Sequence, residues 1–300
     1  MRHLLHALIP VVGFLSAGLA PAQVPDIAFD FSTRQPIVPV RVNGGRALPF
    51  VFDTGASIHV VDESVARHAG IVGTDARPMT GGGQASVSAA FADSLTFETS
   101  GFTWTGQRAA LVRLGYPETR HFAGLIGAPI LMRYVIQLDF GRHVLRLVDP
   151  SSYQPPAGAI LVPFELQDDL PIVRATVDAG AGPIDARLMV DTGAGSSFVD
   201  LNRPFVDTHR LLEAVKDAAE QARPAGIGGT APFVYGTGKQ LVLAGIVFDR
   251  PRLGLSRATG GSSSRTGRDG IIGNDLLRRF RVTFDYRRRT LVLENTPPSG

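Results

Sequence analysis

Three hundred residues are enough for one large domain or two modest ones, each with its own core. A hydrophobic content of 44% beside 19% charged residues excludes a disordered chain. The formal net charge of +3 is too small and too scattered to single out nucleic acid, and the absence of cysteine excludes disulfides, thiol catalysis and lipid attachment through a cysteine.

Residues 1–22 read as a secretory signal. Arg2 gives the positive start, Leu4 to Leu19 are mostly apolar, and Ala20-Pro21-Ala22 offers a small-residue cleavage site before Gln23. The apolar run is short for a membrane span and contains Pro10, and no later segment has the ~20 continuous apolar residues that a spanning helix needs. The expectation is an exported protein, periplasmic or secreted, with no stable membrane span once the signal is removed.

From Ile27 the pattern is strand-like. Ile27, Phe29 and Phe31 alternate, and Ile37, Val38, Val40 and Val42 follow Pro36. Asn43-Gly44 suits a tight hairpin turn, and the return strand Leu48 to Phe52 ends at Asp53-Thr54-Gly55-Ala56. A short helix from Glu63 to Ala69 closes at Gly70. Gly81-Gly82-Gly83 sits in a polar, hairpin-like region, followed by strands at Ala89 to Phe97 and Leu111 to Leu114. Then come Gly124-Leu125-Ile126-Gly127, a short helix through Leu131 and a hairpin from Val135 to Leu147.

Asp149 to Gly158, with its prolines and serines, reads as a linker, after which the pattern begins again. Val162, Phe164 and Leu166 align with Ile27, Phe29 and Phe31, and Pro171-Ile172-Val173 with Pro36-Ile37-Val38. Asp191-Thr192-Gly193-Ala194 repeats the first Asp-Thr-Gly-Ala, Gly270-Ile271-Ile272-Gly273 repeats Gly124 to Gly127, and Val282 to Leu293 repeats the first hairpin. One Asp-Thr-Gly is expected by chance with a probability of only about 0.05 in a chain of this length. Two, in matching contexts and preserved order, indicate a duplicated unit of roughly 130 residues, which suits two similar domains. The second copy is longer, and the insertion predicts an amphipathic helix from Asp207 to Ala222 with Leu211, Leu212, Val215 and Ala219 as its apolar stripe. Ser262-Ser263-Ser264 reads as a flexible loop, and the rest, short strands between Gly/Pro turns, favours β-barrels.

Two Asp-Thr-Gly loops, each followed far downstream by an apolar-apolar-Gly segment and a short helix, resemble the pepsin-like and retropepsin-like aspartic proteases. Gly270 to Leu277 resembles the retropepsin version most. The resemblance covers nearly the whole mature chain and implies a mostly β fold: two retropepsin-like barrel lobes, residues 23–150 and 151–300, with the active-site cleft between them. It implies Asp53 and Asp191 as the catalytic pair, Thr54 and Thr192 bonding across to the opposite loop, and no cofactor or metal.

The residues supply their own logic. Two carboxylates about 3 Å apart do not both ionise easily, so one keeps a proton and the pair titrates as a unit. The ionised member takes a proton from water while the protonated one polarises a carbonyl. Gly55 and Gly193 let backbone N–H groups come close to the carboxylates. Ala56 and Ala194 stand where pepsin-like enzymes carry a hydroxyl that donates to the charged form. Losing that donor raises the pair's pKa, so an optimum at mildly acidic to neutral pH is expected. Gly195, where the first copy has Ser57, is expected to leave the second loop more flexible.

Gly226-Ile227-Gly228-Gly229 resembles the glycine-rich retropepsin flap tip, and Gly81-Gly82-Gly83 holds the corresponding place in the first copy, so two flaps are expected over the cleft. No counterpart of the pepsin flap tyrosine is evident; Tyr235 lies past the second glycine run. His59, His68, His121, His143 and His209 have no zinc-ligand spacing and read as surface or packing residues. The glycine runs lack the Lys-Ser/Thr of a phosphate loop, Ser57, Ser196 and Ser197 lack a nucleophile elbow, and Trp104 reads as packed. Arg278, Arg279 and Arg281 with Arg287, Arg288 and Arg289 read as a solvated hairpin face. Gln23 to Asp26 leave no room for a pepsin-style propeptide. The expected function is a monomeric aspartic endopeptidase acting on a peptide or protein substrate. The alternatives are a non-catalytic peptide-binding envelope protein of the same fold and a structural partner using the arginine-rich hairpin.

Overall fold

The computed structural model describes residues 25–114, 122–224 and 226–295. The expected signal segment 1–22 and His121 lie outside them. Among the described residues strand accounts for 51% and helix for 10%, which places the protein in the mostly β class.

The first half runs β1 (Ile27–Ala28), β2 (Ile37–Val42), β3 (Leu48–Phe52), β4 (His59–Asp62), α1 (Glu63–His68), β5 (Thr74–Thr80), β6 (Ser86–Thr99), β7 (Phe102–Val112), β8 (Gly124–Ile126), α2 (Ala128–Leu131), β9 (Val135–Asp139) and β10 (Val144–Val148). Strands β2-β3-β8-β4-β7-β6 close into a six-stranded barrel, because β6 returns to β2 through Arg41 opposite Glu98 and Val42 opposite Phe97. β5 hangs on the free edge of β6. The turn between β2 and β3 has Asn43 at φ 49° and Gly44 at φ 71°, the paired positive values that a two-residue hairpin turn demands. Inside lie Phe50, Phe97 and Trp104, all fully buried, with the Trp104 indole N–H donating to the Tyr134 hydroxyl at 3.0 Å.

The second half runs β11 (Ile160–Gln167), β12 (Leu170–Asp178), β13 (Pro183–Val190), β14 (Val199–Leu201), α3 (Arg203–Thr208), α4 (Leu211–Ala214), β15 (Lys216–Pro224), β16 (Thr230–Thr237), β17 (Gln240–Leu243), β18 (Ile246–Asp249), β19 (Arg252–Ser256), β20 (Gly270–Ile272), α5 (Asn274–Leu277), β21 (Phe280–Asp285) and β22 (Thr290–Asn295). Its registers copy the first half: Ile37 faces Val51 as Ile172 faces Met189, and Phe50 faces Gly124 as Leu188 faces Gly270. One strand of the first barrel is here broken in two. β16 continues the path from β19, and β17 makes the return to β12 after a step at Gly238 and Lys239, whose N–H groups donate to Pro251 and Asp178 carbonyls.

Between the halves lies a shared sheet in the order β1-β10-β9-β21-β22-β11. The two repeated hairpins meet edge to edge here, with Ile136 opposite Phe284 and Leu138 opposite Val282. The arginines expected to be solvated do lie at its surface, Arg281 half-buried and the other five exposed, and several of them also find partners there. Arg281 pairs with Asp139 at 3.0 Å, Arg288 with Asp285 at 2.8 Å, and Arg279 lies over the Phe198 ring at 4.9 Å.

Three expectations need correction. The amphipathic helix from Asp207 to Ala222 does not form; the chain makes two short helices and then the edge strand β15. Leu211 and Val215 do enter the core, but Leu212 and Ala219 are exposed, Asp217 takes φ 54°, and the backbone pairs with β16 instead. Alanine-rich composition favoured a helix in isolation, yet past Val215 such a helix has no apolar face left to bury, so tertiary pairing decides. The alternation of Ile27, Phe29 and Phe31 gives only a two-residue strand and one bridge from Asp30 to Ile37, because Phe29 and Phe31 instead cluster with Phe140. The strand expected at Leu111 to Leu114 begins nine residues earlier in chain order, at Phe102, and ends at Val112. Among the described residues no helix is long and apolar enough to cross a membrane.

Phe284 is fully buried on the central strand of the shared sheet. Phe284→Ala is expected to lower unfolding free energy by about 3–5 kcal/mol in chemical denaturation. A loss below about 1 kcal/mol would mean that the shared sheet does not couple the two halves.

Candidate active site

Each half-site is a strand end fixed from several sides. β3 runs parallel to β8 and delivers Asp53, whose N–H donates to the Ile126 carbonyl at 2.9 Å. β13 and β20 repeat the arrangement for Asp191 and Ile272 at the same distance. The loop then folds back: the Gly55 N–H donates to Asp53 Oδ1 and the Gly193 N–H to Asp191 Oδ1, each at 2.8 Å. The apolar-apolar-Gly segments close behind them, with the Ala128 N–H donating to the Ala56 carbonyl and the Asn274 N–H to the Ala194 carbonyl, both at 2.9 Å.

The two loops are then exchanged across the molecule. The Thr54 hydroxyl donates to the Val190 carbonyl at 2.8 Å and accepts the Thr192 N–H at 3.0 Å. The Thr192 hydroxyl donates to the Phe52 carbonyl at 2.7 Å and accepts the Thr54 N–H at 3.0 Å. Both threonines are buried, so these four bonds replace the water that their backbone partners would otherwise require. The exchange is the one the sequence resemblance implied. It brings the loops so close that a Cβ on Gly55 would lie 2.5 Å from the Asp191 carboxyl carbon, and one on Gly193 would lie 2.6 Å from that of Asp53.

The carboxylates of Asp53 and Asp191 therefore face each other. Burial, and after it the Asp191 charge, holds Asp53 well above the usual carboxylate range; the N–H donors of Gly55 and Gly193 oppose this without reversing it. The pair is built to carry one proton at a pH where isolated carboxylates carry none.

The cage around the pair is not symmetric. Asn274 is fully buried and its amide donates to the Thr192 and Arg34 carbonyls, each at 2.7 Å, while the Gln35 amide donates to the Gly193 carbonyl at 2.7 Å. Arg34 pairs with Asp275 at 2.7 Å. The segment 33–35 of the first half thus grips the second loop. This corrects the expectation that Gly195 loosens that loop: a Cβ there would lie 2.8 Å from the Thr33 carbonyl, so glycine serves close approach rather than slack. On the other side, buried His59 accepts the Gly127 N–H on Nδ1 at 3.1 Å, which leaves its Nε2 to face Gln107 at 3.3 Å. Burial holds this imidazole down to about 4, and it works as a neutral packing element.

Above the pair, both glycine runs meet tip to tip. The Gly83 N–H donates to the Ile227 carbonyl at 2.9 Å, and the Ala85 N–H to the Gly228 carbonyl at 3.0 Å. Gly83 and Gly228 approach too closely for any side chain on Gly83, and Gly226, Gly228 and Gly229 all take positive φ. Ile227 crosses over and buries itself among Ile37, Val60 and Leu125 of the first half. The segment Ser262–Ser264, expected as a flexible loop, is a 3-10 turn that caps this roof, with its Ser262 N–H donating to the Gly81 carbonyl at 2.8 Å. Beneath the roof is a cleft of about 980 Å³ lined by Asp53, Asp191, Gly81, Gly82, Gly226 and Ile227. Gly229 and Gly83 shape the tips without lining the cleft. Tyr235 does line it, with the Arg252 guanidinium 4.4 Å from its ring. Gln35, Asn274 and Arg268 were not singled out from sequence; only Asn274 left a signal there, as the point where the repeat departs from Ala128. Among the described residues no cluster of three His, Cys, Asp or Glu side chains is placed to hold a metal ion.

Comparison with known proteins agrees with this geometry. Residues 38–130 match the model of an aspartyl protease family of the retropepsin-like clan. The match spans the first barrel, its Asp-Thr-Gly loop and its apolar-apolar-Gly segment, and it supports an aspartic protease role in general. No curated protein matches the chain.

A carboxyl whose folded pKa is raised contributes stability fully below its unfolded value, near 4, and loses it as pH rises through the folded value. Asp53→Asn removes that loss. The melting temperature of the variant relative to the native chain is expected to be higher at pH 7 than at pH 4, by roughly 2–4 °C or more. An equal difference at both pH values would show that Asp53 is not held protonated by its surroundings.

Proposed function

We propose that this chain, with its aspartyl protease segment at residues 38–130, is an aspartic endopeptidase that hydrolyses a peptide bond within an extended segment. The observation that carries the reading is the reciprocal threonine exchange, which holds two carboxylates in one proton-sharing pair under a two-flap roof. In the proposed cycle the ionised carboxylate takes a proton from a water between the pair as the water oxygen attacks the scissile carbonyl carbon. The protonated carboxyl donates to the carbonyl oxygen, giving a neutral tetrahedral diol. The amide nitrogen then takes a proton from the pair, a diol hydroxyl returns its proton to the freed carboxylate as the C–N bond breaks, and acid and amine leave with the pair back in its one-proton state. No covalent intermediate is formed.

The remaining parts have roles in this scheme. Thr54, Gly55, Thr192 and Gly193 fix the geometry, and Ala56 and Ala194 offer no hydroxyl to the carboxylates. Gly81, Gly82, Gly226 and Ile227 line the cleft, and flap backbone groups that are released when the tips part pair with an extended substrate strand. One chain supplies both half-sites, so the catalytic unit is a monomer, and the substrate is a peptide or protein met after export. The roof, already hydrogen-bonded to itself, favours a second reading: a peptide-binding protein of the same fold that grips without turnover.

Cleavage of a peptide library by residues 23–300 across pH 3 to 8 separates the two. The expected result is a maximum at mildly acidic to neutral pH and a loss of roughly 10³-fold or more in kcat/KM for both Asp53→Asn and Asp191→Asn. A statine-type analogue that binds without any peptide being cut would establish the second reading. Gly83→Val, which prevents the tips from meeting, is expected to change kcat and KM together while leaving the melting temperature nearly unchanged. Unchanged kinetics would remove the flaps from the cycle.

A further inference from the structure

The repeat gives each half-site an equivalent residue two positions before its apolar-apolar-Gly segment: Phe122 before Gly124 and Arg268 before Gly270. Gly124 and Gly270 hold the same register, opposite Phe50 and Leu188, so the two preceding residues occupy related places on either side of the pair. Both line the cleft. Phe122 belongs to an apolar wall with Val60, Leu125 and Ile227. Its counterpart is a cation.

The backbone around Arg268 is fixed. Its carbonyl accepts from the Asn202 amide at 3.0 Å, and the neighbouring Asp269 carboxylate accepts the Arg187 N–H at 2.7 Å. The side chain is not so provided for. The other cleft arginines are engaged: Arg34 with Asp275, Arg252 with the Tyr235 ring, and Arg265 with the Thr80 hydroxyl. The Nε of Arg268 is buried without a hydrogen-bond partner among the described residues. Its charge is felt by Asp191 and by Asp168 at the cleft edge, and burial lowers its pKa, the mark of a cation drawn partly out of water. A buried guanidinium donor left unmatched is costly, and the group that matches its planar fork is a carboxylate.

Resting on the catalytic reading above, we propose that Arg268 forms a subsite for a substrate carboxylate on the Asp191 side of the cleft, opposite an apolar subsite at Phe122. An acidic side chain near the scissile bond supplies that group; so does a free C-terminus a few residues away. A substrate without it leaves the buried Arg268 Nε unpaired, and such buried polar mismatches discriminate more sharply than apolar ones.

The test uses peptides cleaved by the native chain, each made as a Glu and a Gln twin at every position flanking the cleaved bond, with free and with amidated C-termini. For the native chain one position is expected to favour Glu over Gln by roughly tenfold or more in kcat/KM, and Arg268→Gln is expected to bring that ratio close to one. Arg268→Lys, which keeps the charge and loses the fork, is expected to fall between. A preference that vanishes on amidation instead of on Glu→Gln assigns the carboxylate to the chain terminus. A native ratio near one in both series, or a preference that survives Arg268→Gln in a chain with unchanged melting temperature, overturns the subsite while leaving catalysis intact. If no peptide is cut at all, the catalytic reading fails. Calorimetric binding of Glu and Gln forms of a statine-type peptide then reads the subsite alone, with roughly tenfold tighter binding of the Glu form expected and equal binding overturning it.

Discussion

Everything at the centre of this molecule depends on two threonine hydroxyls, each acting as donor and acceptor across the line between the halves. Thr54 and Thr192 satisfy four backbone groups that no strand ladder reaches, and in doing so set the separation of Asp53 and Asp191. Like charges repel, and nothing in the carboxylates themselves draws them together. The approach is enforced by bonds one residue away, where the geometry is neutral and strong. The raised affinity of Asp53 for its proton is the electrostatic record of that enforcement.

Duplication made the enforcement possible, and divergence has since worked on everything except it. The strand registers, the loop bonds and the threonine exchange are the same in both halves, whereas the surroundings differ. The first barrel closes on itself with an unbroken β6; the second closes through a stepped pair of strands. Asn274 and the segment 33–35 brace only the second loop, and His59 braces only the first apolar-apolar-Gly segment. Phe122 and Arg268 stand in related positions with opposite chemistry. Symmetry is retained where two carboxylates must meet and released along the walls of the cleft.

Much of this was legible in the sequence because its causes are local or repeated. Asp-Thr-Gly after an apolar strand, Asn43-Gly44 in a tight turn and glycine runs at matched positions each carry their geometry in residue type. The repeat supplied the long-range pairing that local pattern lacks. What could not be read were features decided by a distant neighbour. β15 looks like a helix until β16 offers it a ladder, and Gly195 looks like slack until the Thr33 carbonyl is found beside it. The place of Arg268 in the cleft follows from the register of β20 on β13, and one arginine in a chain with thirty Lys and Arg residues gives no warning of it.

The shared sheet has a consequence for how anything enters. Domain closure about a pivot needs a few residues at which backbone dihedrals are free to change. Here β9 and β21 run side by side across the boundary, and the threonine exchange ties the floor a second time. A clam-shell motion would tear ladder bonds. The roof, by contrast, is held by one buried side chain, Ile227, and a handful of bonds between glycine-rich tips and a 3-10 turn, a smaller set of contacts than the two ladders below it. The part of the cleft built to open most readily is the latch above it, over a floor that stays shut.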